Sequence, residues 1–119
     1  MKLSEIVKLE EAAQQIVGGR FKELQEIVAK HFRGAKLIKA FKQRVRAGEG
    51  SEVRGSGELR SDIEREEERK LQGAPSQRLK NDLEDVIFDR FARKTETVRS
   101  SAVIFHKGRF DFVVEIQPL

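Results

Sequence analysis

Between Lys30 and Arg60 the chain carries nine basic side chains, Lys30, Arg33, Lys36, Lys39, Lys42, Arg44, Arg46, Arg54 and Arg60. Three acidic residues, Glu49, Glu52 and Glu58, oppose them, so the segment holds a surplus of 9 − 3 = +6 within a chain whose net charge is only +4. Clustered Lys and Arg favour phosphate through counterion release, and a basic segment can track a sugar–phosphate backbone without reading a base. Lys36, Lys39, Lys42, Arg44, Arg46, Arg54 and Arg60 are the residues this reading assigns to nucleic-acid contact. Phe32 and Phe41 are the aromatics of the segment. An inward-packed Phe41 would leave no platform on which unpaired bases could stack. The competing account is a charged surface that keeps a small protein soluble.

The carboxylates suggest less. Asp82, Asp85 and Asp89 fall at i, i+3 and i+7, on one face of a helix, but without the tight loop and carbonyl ligands of a dedicated calcium site. They are expected to be a solvated face, as are Glu66, Glu67 and Glu68. Asp111 and Glu115 alternate onto one strand face near His106 and Arg109, and Glu115-Ile116-Gln117 resembles the (D/E)-x-K end of a metal-dependent nuclease core. That core takes its acids from successive strands. Here no acid lies between Val98 and Phe105, and Gln117 stands where the lysine belongs. The pair therefore reads as a polar outer face. Neither His31 nor His106 completes a Ser-His-Asp or HExxH arrangement, and the glycines at 48–57 lack the Lys-Ser/Thr of a phosphate loop. With no Cys, thiolate metal sites, iron–sulfur clusters, disulfides and Cys nucleophiles are excluded. The expectation is a non-enzymatic protein with no catalytic residue, metal, cofactor or small-molecule substrate.

The elements that must position these residues are organised around a C-terminal β-hairpin spanning Val98–Ile116, with Lys107-Gly108 as its two-residue turn. That turn fixes the pairing: His106 with Arg109, Phe105 with Phe110, Val103 with Phe112 and Ser101 with Val114. Alternation then gathers Val103, Phe105, Phe110, Phe112, Val114 and Ile116 on one face, which must be covered. A helix over about Gln77–Arg93, capped by Ser76, supplies the cover with Leu79, Leu83, Val86, Ile87 and Phe91. Upstream, apolar residues from Leu3 to Val17 predict a first helix stopped by Gly18-Gly19. Phe21 to Phe32 predict a second, stopped by Gly34, and the two make a helical hairpin.

Residues 35–46 fit a basic helix better than a strand by spacing, although a third strand would help a marginal two-stranded sheet. The run A-G-E-G-S-E-V-R-G-S-G that follows predicts a flexible loop at about 47–58. Ser61-x-x-Glu64 is a capping-box pattern opening a charged helix to about Leu71, either solvated or set against a partner. The whole is an α+β fold in a single small domain: an N-terminal helical hairpin, a basic helix or strand, a glycine-rich arm, a charged helix, and an amphipathic helix packed on the β-hairpin.

An unpaired hairpin edge and a flexible arm are also the parts of self-assembling proteins, including ring, connector and virion-type components. On that second reading the chain is a homo-oligomer, with Ile104, Val113 and Ile63 as candidate interface residues. The longest apolar run, Ala102–Phe105, has four residues, too short for a membrane span or a signal-peptide core. A cytoplasmic or virion-associated protein is expected.

Overall fold

The computed structural model of the chain describes residues 13–45 and 50–119. Its hairpin turns on two consecutive positive φ angles, 28° at Lys107 and 78° at Gly108. Such a turn matches the right-handed twist of the flanking strands. It joins β4 (Glu96–His106) to β5 (Arg109–Pro118) in the register predicted from the sequence, including Phe105 opposite Phe110 and Ser101 opposite Val114. The hairpin does not stand alone. On its other side β5 pairs with β3 (Ser51–Glu58), β3 with β2 (Lys36–Arg44) and β2 with β1 (Ala13–Gln15), giving an antiparallel sheet of order β1-β2-β3-β5-β4.

Two of these strands correct the sequence reading. Of the predicted flexible loop at about 47–58, residues 47–49 lie outside the described residues, and from Ser51 on it is the central strand of the sheet. Its glycines are there because Phe112 lies over Gly55 and Phe110 over Gly57. A Cβ at Gly55 would overlap the Phe112 ring, and one at Gly57 would overlap the Lys36 carbonyl oxygen and lie 2.6 Å from Phe110 Cζ. Both rings are almost completely buried. Burying two phenyl groups offsets the ordering entropy that makes an isolated glycine-rich segment flexible.

The predicted basic helix at 35–46 is strand β2 over Lys36–Arg44, and Arg46 lies outside the described residues. A register shift between Leu37 and Lys39 interrupts its pairing with β3. The extra residue inverts the alternation, so buried Leu37 and Ala40 are three apart, a spacing that imitates a helix. Gln25 supports this irregular start: its Oε1 accepts from Leu37 N at 2.5 Å, and its Nε2 donates to Ala35 O at 3.2 Å.

The helical hairpin is corrected as well. Residues 1–12 of the first predicted helix lie outside the described residues, and Ala13–Gln15 form β1 rather than helix. Gly18, predicted to stop that helix, instead opens α1 (Gly18–His31) with φ of +63°. α1 ends as predicted, with Gly34 at φ +80°. The charged helix is α2 (Arg65–Leu71), with Glu64 rather than Ser61 at its N-cap position. Ile63 and Leu71 are half-buried against the core, which is what covers its apolar side. α3 (Ala74–Phe91) begins three residues before the predicted Gln77; Pro75 sits in its first turn, and Ser76 is buried within the helix rather than capping it.

Helix α1 packs on β2 and α3 on β4 and β5, and the two helices lie against each other. Leu24, Val28, Leu79, Leu83 and Ile87 meet Leu37, Ala40, Val53, Phe110, Phe112, Val114 and Ile116 in a single core. All three helices thus pack into one side of the sheet. Its opposite face, carrying the alternate residues of every strand, is covered by none of the described helices. No helix among the described residues is long and apolar enough to cross a membrane.

Candidate nucleic-acid interface

Register decides which of the basic residues act together. Opposite the inward pairs Leu37–Gly57, Ala40–Gly55 and Val53–Val114, the outward pairs are Lys36–Glu58, Lys39–Ser56, Phe41–Arg54 and Gln43–Glu52. Lys36, Lys39 and Arg54 therefore share the open face. Lys42 and Arg44 pair with Val53 and Ser51 and belong to the helix side. Lys42 is engaged there: its Nζ donates to the Phe91 carbonyl at 3.1 Å, a cation on the negative end of α3. Together with Gln14, Arg20 and Arg90 it lines an open cleft of about 350 Å³. Arg60 follows β3 and is held by Asp62 and Glu67. The seven residues proposed from sequence thus divide between two faces and a loop, apart from Arg46, which is not described.

Phe41 is the residue that the sequence reading misplaced. It was expected to pack inward, but the bulge in β2 turns it onto the open face, with Gln15 of β1 on one side and Arg54 of β3 on the other. It is half-buried by these neighbours and takes no part in the core. Nothing in the local sequence marks the inversion, because a bulge is set by pairing with β3 and leaves no composition signal.

Beside Phe41 the open face carries a compact polar group. Glu52 Oε1 accepts from Arg54 Nε at 2.8 Å and from Gln43 Nε2 at 2.6 Å. Burial would raise the Glu52 pKa, but the hydrogen bonds from Arg54 and Gln43, with the Arg54 charge, outweigh it and hold the carboxyl below its ordinary range. Glu52 also lies directly opposite Glu115, and each acid leans toward a guanidinium, Glu52 to Arg54 and Glu115 to Arg99 at 3.8 Å. Ion pairing relieves the like-charge contact across the ladder.

Asp111 stands opposite Ser56 and Ile104, with His106 Nε2 3.6 Å from its carboxylate. Glu115 is thus matched to a guanidinium, and Asp111 lies beside an imidazole. Among the described residues no cluster of three His, Cys, Asp or Glu is disposed to hold a metal ion.

The interface candidates also separate. Ile104, on edge strand β4, is 49% exposed on the open face, and Val113 lies on the same face between Arg54 and Ala102. Ile63, by contrast, packs against the core.

Of the aspartates on α3, Asp82 has a structural role. Its carboxylate lies 2.6 Å from Nε2 of His31, whose side chain is only 10% exposed, and 3.5 Å from Lys30 Nζ, tying α3 to the end of α1. The His31 hydrogen bond holds the Asp82 pKa below its ordinary value. A carboxyl depressed in the folded state stabilises it above the unfolded pKa, and that contribution is lost as pH falls toward the folded value. Thermal melting followed by circular dichroism should therefore show the wild type losing stability through the acidic carboxylate range. Asp82→Asn should be less stable near neutrality, with a gap that closes on acidification; a gap independent of pH would refute this role.

A scan against protein-family models finds no match, and searches of curated proteins and of solved structures likewise return none.

Proposed function

We propose that the protein is a non-enzymatic binding protein that contacts the phosphate backbone of nucleic acid, without base specificity, through cations of its basic segment. The observation that carries this reading is the alignment of Lys36, Lys39 and Arg54 on a sheet face that no described helix covers. Lys39 is the best placed of the three. It faces Ser56 and forms no ion pair among the described residues, whereas Lys36 faces Glu58 and Arg54 is bound to Glu52. A hydroxyl beside an unpaired ammonium gives two donors to one phosphate.

Labelled-oligonucleotide anisotropy at increasing salt tests the reading. With about three phosphate contacts, log K should fall against log salt with a slope of roughly −2 to −3. Reversing Lys36, Lys39 and Arg54 to Glu should lower affinity by more than about 10-fold, since each lost contact removes its share of counterion release. Reversing Lys42 and Arg44 on the other face should have a smaller effect. Undetectable or salt-independent binding would refute the proposal.

Strand β4 favours a second reading, self-assembly in a ring, connector or virion-type structure. Its eleven residues form the sheet edge with β5 on one side and no described strand on the other. Ser100–Phe105 within it contains neither charge nor proline, the usual protections of an edge. The predicted flexible arm no longer contributes to this reading, since 51–58 is β3. Light scattering on the same samples separates the two: assembly gives a multiple of 13.6 kDa without oligonucleotide. A 13.6 kDa species that gains mass only with oligonucleotide supports the first reading alone.

A further inference from the structure

We propose that the nucleic acid taken by the open face is single-stranded, and that one unpaired base stacks on the ring of Phe41. The inference rests on the backbone-contact reading above and specifies its substrate class. Phe41 is an aromatic on a sheet face that no described helix covers, in a strand whose neighbours across the ladder are a glutamine and an arginine. A phenyl ring on a flat β-surface offers a π-face to any base regardless of identity, which suits binding without sequence preference. A duplex cannot use it, because its bases are already stacked on one another and present only their edges.

The surrounding charge matches an extended strand lying across β2 and β3. Arg54, directly opposite Phe41, has its Nε engaged by Glu52, which leaves both Nη groups for a phosphate or for stacking on the same base. Gln43 holds Glu52 from the other side, so the guanidinium is anchored at one point only. Lys39, two residues before Phe41, supplies the ammonium, and Ser56 opposite it a hydroxyl. Ile38, at the bulge, is a second apolar side chain of β2 open to solvent, 54% exposed. One base on Phe41 thus has a cation across the ladder and another along its own strand, within the reach of a single-stranded backbone.

Anisotropy titrations with a labelled oligothymidine and with a duplex of equal length test the inference on the full chain. The wild type is expected to bind the single strand more tightly. Phe41→Leu, which keeps apolar bulk on a face outside the core, should lose roughly 5- to 100-fold in single-strand affinity, the range for removal of one stacked base. Its duplex affinity and circular dichroism spectrum should be unchanged, and Phe41→Tyr, which keeps the ring, should retain binding. Full single-strand binding by Phe41→Leu, or duplex affinity equal to that of the single strand, would overturn stacking while leaving backbone contact standing. Salt-independent or absent binding of both probes would overturn both.

Discussion

Gly57→Ala should destabilise the protein by about 3 kcal/mol or more, at or beyond the upper range for overpacking a well-filled interior. The added methyl would fall on the backbone carbonyl of Lys36 and 2.6 Å from Cζ of Phe110. Neither neighbour can yield. Lys36 begins β2 and is paired with Glu58 of β3, and Phe110 is fully buried in the core. Against a total stability typically near 5–15 kcal/mol, such a loss should lower the urea midpoint substantially and reduce soluble yield. Gly19→Ala is the matched control. A Cβ there meets nothing within 4 Å, and the residue lies in the first turn of α1. Its midpoint should stay level or rise slightly, because alanine gives up less backbone entropy in a helix than glycine does. Equal midpoints for wild type and Gly57→Ala would show that the close approach of β2, β3 and Phe110 is not what the central strand requires.

The same glycines show where sequence reasoning stops. Taken alone, a run such as A-G-E-G-S-E-V-R-G-S-G has no local reason to be ordered, and local physics predicts a flexible segment. The order of its Ser51–Gly57 part depends on rings more than fifty positions later in the chain, which lie on Gly55 and Gly57 only after β5 has docked beside β3. Such information is nonlocal. The β4–β5 hairpin, by contrast, was legible down to individual pairs, because two residues at Lys107-Gly108 set the register and alternation assigns the faces. Helix α1 and the apolar stripe of α3 were legible for the same reason: a periodic pattern and its own stop signals lie within one segment.

For the candidate interface, the sequence located the charge but not its division. Lys36 and Lys39 share a face with Arg54, whereas Lys42 and Arg44 turn to the other, and a regular strand would not distribute them so. Parity changes at the bulge after Leu37. That one inserted residue made Leu37 and Ala40 imitate a helix, and it also carries Phe41 from the core side to the open face. Had β2 been regular from Leu37 on, Phe41 would have followed Leu37 inward and the basic face would hold no aromatic. The chemistry proposed for this face therefore depends on a backbone irregularity, which in antiparallel sheets often re-aims a side chain at a site.

Phe32→Ala should lower stability by about 3–5 kcal/mol, the range for deleting a buried aromatic from a packed core. Phe32 immediately follows α1 and is fully buried. Its ring centroid lies 5.4 Å from that of Phe105 and 5.7 Å from that of Phe110, the second contact edge-to-face at 81°. These are the two residues that face each other across the β4–β5 hairpin, so Phe32 fastens the end of α1 to the turn end of that hairpin. Removing it leaves a cavity that neither side can fill, because α1 is also held by the His31–Asp82 contact and the hairpin by β3. Phe32→Leu retains part of the volume but not the ring, and should forfeit less, with the edge-to-face contribution among the losses. Chemical denaturation should rank wild type above Phe32→Leu above Phe32→Ala. If the alanine variant falls by less than about 1 kcal/mol, well below that range, the helix and the hairpin are joined elsewhere, and the three-ring contact is not the link between them.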